Sequence, residues 1–140
     1  MASYSLGASF RYIDELGLSF VAQNINDPVN GAGQLSSSYT AAAAIRAAQR
    51  GAHVTTLTLS REQAELAQQR VDAAGVGDRV DIALRDYRDQ HGEFDAVVSV
   101  EMIEAVGERY WPTYFAKIDE VLAPGGKAAI QAILLEHHRV

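Results

Sequence analysis

Two carboxylates three positions apart, Glu101 and Glu104, stand at the end of the apolar run Ala96-Val97-Val98-Ser99-Val100. Such a pair can take a proton from a substrate or oppose a positive charge as it develops, and closeness raises the pKa of one member if both face a pocket. The run before them is long enough for a strand buried on both faces. In an open parallel α/β sheet the carboxyl end of a central strand faces the ligand crevice. The plainer reading is a buried strand running into a solvated helix start, where glutamate is favoured by the helix dipole. The elements around the pair decide between them.

From residue 41 onward helices and strands alternate. An alanine-rich helix is expected over 41–50, with Thr40 as its cap and Gly51 as its stop. Strands are expected near 53–58, 79–84, 94–100 and 127–135, each a run of β-branched or apolar residues. Ser60-Arg61-Glu62-Gln63 reads as a capping box opening a helix to about Ala74, with Ala64, Ala67, Val71 and Ala74 as its apolar stripe. Trp111, Tyr114, Phe115, Ile118, Val121 and Leu122 recur at helical spacing over 108–122, and Pro124-Gly125-Gly126 forms a turn into the last strand. Short connections between such elements imply a parallel, doubly wound, Rossmann-like α/β sheet. Residues 1–40 differ in texture. Leu16, Leu18, Phe20 and Ala22 alternate with Gly17, Ser19, Val21 and Gln23, a weak strand signal that Asn24-Ile25-Asn26-Asp27-Pro28 breaks. The expected organisation is an unassigned segment 1–40, holding a strand or hairpin, and a partial α/β domain 41–140.

Composition narrows the function. The 140 residues are 48% hydrophobic and 21% charged, as in an ordinary globular domain. A net charge of −6 with no basic stripe argues against nucleic acid as a partner. Without cysteine there is no thiol nucleophile, and His53, His91, His137 and His138 lack metal-ligand spacing, so no metal site is expected. No apolar run reaches membrane-spanning length, which makes the cytoplasm the expected location.

Three segments together resemble the cyclopropane fatty acid synthase family of class I S-adenosylmethionine-dependent methyltransferases. They are Thr58-Leu59-Ser60-Arg61-Glu62-Gln63, Arg85-Asp86-Tyr87-Arg88-Asp89 and Ser99-Val100-Glu101-Met102-Ile103-Glu104-Ala105-Val106-Gly107. Tyr110–Phe115 and Ile130-Gln131-Ala132-Ile133 support the likeness, which covers about residues 41–140. It implies transfer of a methyl group from S-adenosylmethionine to the cis double bond of an unsaturated phospholipid acyl chain, met at a membrane surface. A carbocation follows, and loss of a proton closes a cyclopropane or leaves a methylene branch. Residue by residue, Thr58, Leu59, Ser60 and Gln63 match the cofactor's ribose side, and Asp86 and Tyr87 its adenine side. Glu104 matches the acidic residue that holds a bicarbonate base. Glu101 stands where many members have glycine, and Gln131 where many have histidine.

The family's first strand should be apolar, end in an acidic residue and run into a Gly-x-Gly-x-Gly loop immediately before Ala43. The chain there reads Leu35-Ser36-Ser37-Ser38-Tyr39-Thr40-Ala41-Ala42, and Gly31-Ala32-Gly33 lies several residues earlier. The fold is therefore expected to be incomplete, with neither first strand nor glycine loop recognisable and the C-terminal part missing. Two other functions stay open: a methyltransferase-like binding module without catalysis, and a methyltransferase acting on a small molecule.

Overall fold

The computed structural model describes residues 18–23 and 32–132. Five strands form one sheet in the order β3-β2-β1-β4-β5, and every pair is parallel. They are β1 Leu18–Gln23, β2 His53–Thr58, β3 Val80–Leu84, β4 Phe94–Val100 and β5 Leu122–Gln131, with helices α1 Ala32–Gln49, α2 Arg61–Ala73, α3 Ile103–Val106 and α4 Trp111–Val121. The expected parallel, doubly wound grammar is present.

The first strand, which no apolar run marked, is β1, and it lies at the centre of the sheet between β2 and β4. Its backbone pairs on both sides, Ala22 with Leu57 and with Ser99, so ladder hydrogen bonds specify it where hydrophobic patterning does not. Helix α1 starts nine residues before the expected position and runs through residue 40, so the boundary drawn there falls inside a helix. Thr40, read as a cap, is buried within that helix, and Leu35–Ala42, where the family's loop was sought, is helical. Ala32 and Gly33 open α1 on the connection leaving β1; Gly31 lies outside the described residues.

Helices cover both faces. On one, Ala44, Ala48 and Ala52 pack with Val54, Val71, Val76 and Val80, the small alanines letting α1 approach the sheet closely. Of the α2 stripe Val71 is buried, while Ala64, Ala67 and Ala74 are half-buried. On the other face Tyr114, Ile118 and Val121 of α4, at spacings of four and three, meet Leu57, Phe94, Val97 and Met102.

The capping box at α2 is half formed. Ser60 Oγ accepts from the Gln63 backbone N–H at 3.2 Å, but the Gln63 side chain turns instead to Thr58, whose hydroxyl donates to Gln63 Oε1 at 2.9 Å. Thr58 Oγ1 in turn accepts the Ser60 N–H at 3.1 Å, taking the place of the N3 side chain. Ser60→Ala removes the cap and is expected to cost about 1 kcal/mol, read as a lower melting temperature.

The last strand begins earlier than expected: Leu122 already pairs with Phe94, and Lys127 pairs with Ala96. Two steps along β4 correspond to five along β5, so Ala123-Pro124-Gly125-Gly126 forms a bulge within the strand rather than a turn ahead of it. The part of the expected strand beyond Ala132 lies outside the described residues.

Candidate active site at the carboxyl edge of the sheet

Because all five strands are parallel, their carboxyl ends share one edge, and register keeps those ends level. Thr58 pairs with Leu84, Gln23 with Val100, and Val100 with Gln131. Strand order reverses at β1, the place where ligands lodge in open α/β sheets. The residues singled out by type and spacing fall into two groups on either side of it. Two strand spacings, about 10 Å, separate the end of β2 from that of β4.

Thr58, Leu59, Ser60, Gln63, Asp86 and Tyr87 form the first group. The Arg85 N–H donates to Thr58 O at 3.0 Å, carrying the β2–β3 pairing one residue further and bringing Asp86 beside the end of β2. Asp86 caps the short turn Tyr87–Asp89: its Oδ1 accepts from the Arg88 backbone N–H and Nε, each at 2.9 Å, and its Oδ2 accepts from Arg88 Nη2 at 2.7 Å. Hydrogen bonding by Arg88 holds the Asp86 carboxyl below its usual range, so it is ionised at neutral pH. Tyr87 is half-buried, and that burial raises its pKa and keeps it a neutral phenol. Its ring meets Tyr114 edge-on at 6.0 Å, with the Arg88 guanidinium 5.9 Å from its centroid. Gln90 holds the loop's shape: it is buried, accepts from Arg85 Nη1 at 3.0 Å through its side chain and from Lys117 Nζ at 3.2 Å through its carbonyl. Leu59 is exposed.

Glu101, Glu104 and Gln131 form the second group. Glu101 has φ +50°, the one positive value at a non-glycine residue among the described residues. In that region a Cβ crowds the backbone, which gives a physical reason for glycine at this position in many family members. Its N–H donates to Gln131 O at 2.9 Å, so the two departures from the family pattern are neighbours across β4 and β5. Glu104 lies on α3, one turn past the strand.

Two residues of this edge escaped the sequence reading. Tyr114 and Ser99 are each 1% exposed, and the Tyr114 hydroxyl donates to Ser99 Oγ at 2.8 Å. Burial raises the Tyr114 pKa, the Ser99 bond lowers it, and the Glu104 charge raises it again. Both stand in segments that carry the family likeness, yet neither had a role assigned from the sequence. Among the described residues no three His, Asp or Glu side chains group closely enough to hold a metal ion.

The family model for mycolic acid cyclopropane synthetase matches residues 40–140. A tuberculostearic acid methyltransferase of Mycobacterium tuberculosis is 62% identical over 96 residues, 69% of this chain and 22% of the relative. A cyclopropane-fatty-acyl-phospholipid synthase of Escherichia coli is 45% identical over 73 residues, 52% of this chain and 18% of the relative. The chain thus spans about a fifth of the length of these relatives. Among solved structures, the mycolic acid cyclopropane synthase CmaA1 complexed with SAH and CTAB superposes with a TM-score of 0.58 at 21% identity, over 81% of this chain and 36% of that one. An O-methyltransferase of Brevibacillus brevis superposes at 0.64 with 16% identity, over 86% and 36%. These two likenesses concern the fold, and they agree with the sheet described above. With the family model covering most of its length, the chain belongs to the mycolic acid cyclopropane synthetase family.

Proposed function

We propose that this chain transfers a methyl group from S-adenosylmethionine to the double bond of an unsaturated fatty acyl chain of a phospholipid, leaving a methylene branch. The observation that carries the reading is the position of Thr58, Gln63, Asp86 and Tyr87 on one side, and of Glu101, Glu104 and Gln131 on the other, of the point where strand order reverses along one sheet edge. The likeness to the tuberculostearic acid methyltransferase supports the branched product. The acceptor is met at a membrane surface facing the cytoplasm; no helix among the described residues is long and apolar enough to cross a membrane.

The first group fits the cofactor. Asp86 Oδ2 accepts one hydrogen bond from Arg88 and keeps a lone pair for an exocyclic amine. Tyr87 offers a ring for stacking, and the Gln63 amide nitrogen has no partner among the described residues and can donate. When bound, S-adenosylmethionine supplies a sulfonium-activated methyl group. Glu104 opposes the cation left on the acyl chain and takes up the proton that the chain loses. A bicarbonate ion fits less well: Gln131 offers a donor, but Glu101 and Glu104 bring two carboxyl groups to the same end of β4. No step is assigned to that ion.

The test is mass spectrometry of unsaturated phospholipid vesicles incubated with the protein and a methyl-labelled cofactor. A labelled methylene-branched acyl chain is expected. Binding of S-adenosylhomocysteine without any labelled lipid would replace this reading with that of a binding module. Tyr87→Ala is expected to weaken S-adenosylhomocysteine binding by about 1 kcal/mol through lost stacking, roughly fivefold by calorimetric titration.

A further inference from the structure

Helix α3 cannot hold its own shape. It has four residues, its cap Met102 offers no side-chain hydrogen bond, and it lies between Glu101 at φ +50° and Gly107 at φ +76°. One turn fixed by so few bonds is unfavourable in isolation. Its geometry is supported from outside, and two of the supporting hydrogen bonds come from α4. The Trp111 indole Nε1–H donates to the Ile103 carbonyl at 3.3 Å, on the residue just before Glu104. One turn further along α4, Tyr114 donates to Ser99, two residues before Glu101. The Tyr114 ring also lies in the apolar cluster that includes Met102, Ile103 and Val106, the inner face of α3.

We propose that Trp111 and Tyr114 form a two-point clamp that positions Glu104, one tie on α3 itself and the other on the strand that leads into it. The inference rests on the reading of Glu104 given above. Both are positioning residues: they act through the place they give the Glu104 carboxylate. Their spacing of three puts them on one face of α4, so a shift of the helix moves both ties together. The Tyr114 bond, closed off from water at both ends, fixes the rotation of α4 against β4. The Trp111 bond transmits that rotation to α3.

Trp111 is the only tryptophan in the chain, so its fluorescence reports the clamp without any reaction. In the full chain, Tyr114→Phe keeps the ring and removes the hydroxyl. We expect acrylamide to quench Trp111 at least about twice as fast in that variant, because the indole tie opens more often once the strand tie is gone. In the lipid assay, Tyr114→Phe and Trp111→Phe should each lower kcat by about tenfold, the scale of a small misplacement of a reacting group. Affinity for S-adenosylhomocysteine should not change. In a Glu104→Asp background, where the carboxylate is already displaced, the same changes should cost clearly less than tenfold. Unchanged quenching in Tyr114→Phe would overturn the clamp. So would losses of the same size in both backgrounds, since a merely structural role is indifferent to residue 104. If the wild-type chain methylates no lipid, the functional reading fails separately, and the quenching measurement alone decides the clamp.

Discussion

Glu104→Gln is expected to lower methyl transfer by two orders of magnitude or more while S-adenosylhomocysteine binds as it does to wild type. A carboxylate about 5 Å from a carbocation, at an effective dielectric constant near 20, stabilises it by about 3 kcal/mol. That energy is present only once the cation has formed, so its loss falls on kcat and not on cofactor affinity. Glutamine keeps the shape and most of the packing of the side chain and removes the charge and the proton acceptor together. The residues offered for the cofactor stand at the ends of β2 and β3, on the far side of β1, which is why binding should persist. Added bicarbonate should not restore turnover. Glu101→Gly makes a useful companion. It removes the second carboxylate and relieves a left-handed backbone at φ +50°, so it should leave stability unchanged or slightly raised and turnover less affected. A Glu104→Gln enzyme with near-wild-type turnover would remove Glu104 from the chemistry.

The contrast between these two glutamates bears on how far the chain could be read from its residues. β2, β3 and β4 were legible because each is rich in β-branched or apolar residues, although β3, at the sheet edge, carries Asp81 and is only partly buried. With three strands placed, a parallel sheet follows, and so does the common edge that gathers Thr58, Asp86 and Glu101. β1 was not legible as a central strand. Leu18-Ser19-Phe20-Val21-Ala22-Gln23 alternates, as a half-exposed strand would, and its place comes from backbone pairing to both neighbours. Pairing is non-local and leaves no mark on composition. The start of α1 was hidden in a similar way, since Thr40 reads as a helix cap and tertiary context overrides that preference. The Tyr114–Ser99 bond joins residues 15 apart on two elements. Each residue had an adequate local explanation, one in an apolar helical stripe and the other in a strand. The left-handed backbone at Glu101 is silent in the glutamate itself, and its one trace is the glycine that many family members carry at this position.

Gly126→Ala is expected to destabilise the fold by about 2–3 kcal/mol, and Gly125→Ala by only about 1 kcal/mol, although the two glycines are adjacent. The difference is steric. A Cβ on Gly126 would stand 2.8 Å from the Ala123 carbonyl oxygen and 3.1 Å from that of Asp95, with Leu122 Cδ2 at 3.0 Å. Two of those three atoms are backbone, fixed by the pairing of β4 with β5, so they cannot yield as the end of a flexible side chain would. Gly125 meets nothing within 4 Å, and its cost is conformational, from holding φ +83° with a Cβ. For a chain of this size the larger loss corresponds to a fall of roughly 8 °C in melting temperature, readily seen by calorimetry or circular dichroism. The consequence reaches the active edge. The bulge at Ala123-Pro124-Gly125-Gly126 sets the register that brings Gln131 opposite Val100, and through it the bond from the Glu101 N–H to the Gln131 carbonyl. Straightening the bulge to relieve the clash would slide β5 along β4 and part those two residues. Gly126→Ala should therefore also weaken turnover in whatever fraction stays folded, whereas Gly125→Ala, with the register intact, should not. Equal melting temperatures for the two variants would show that β5 does not carry this bulge.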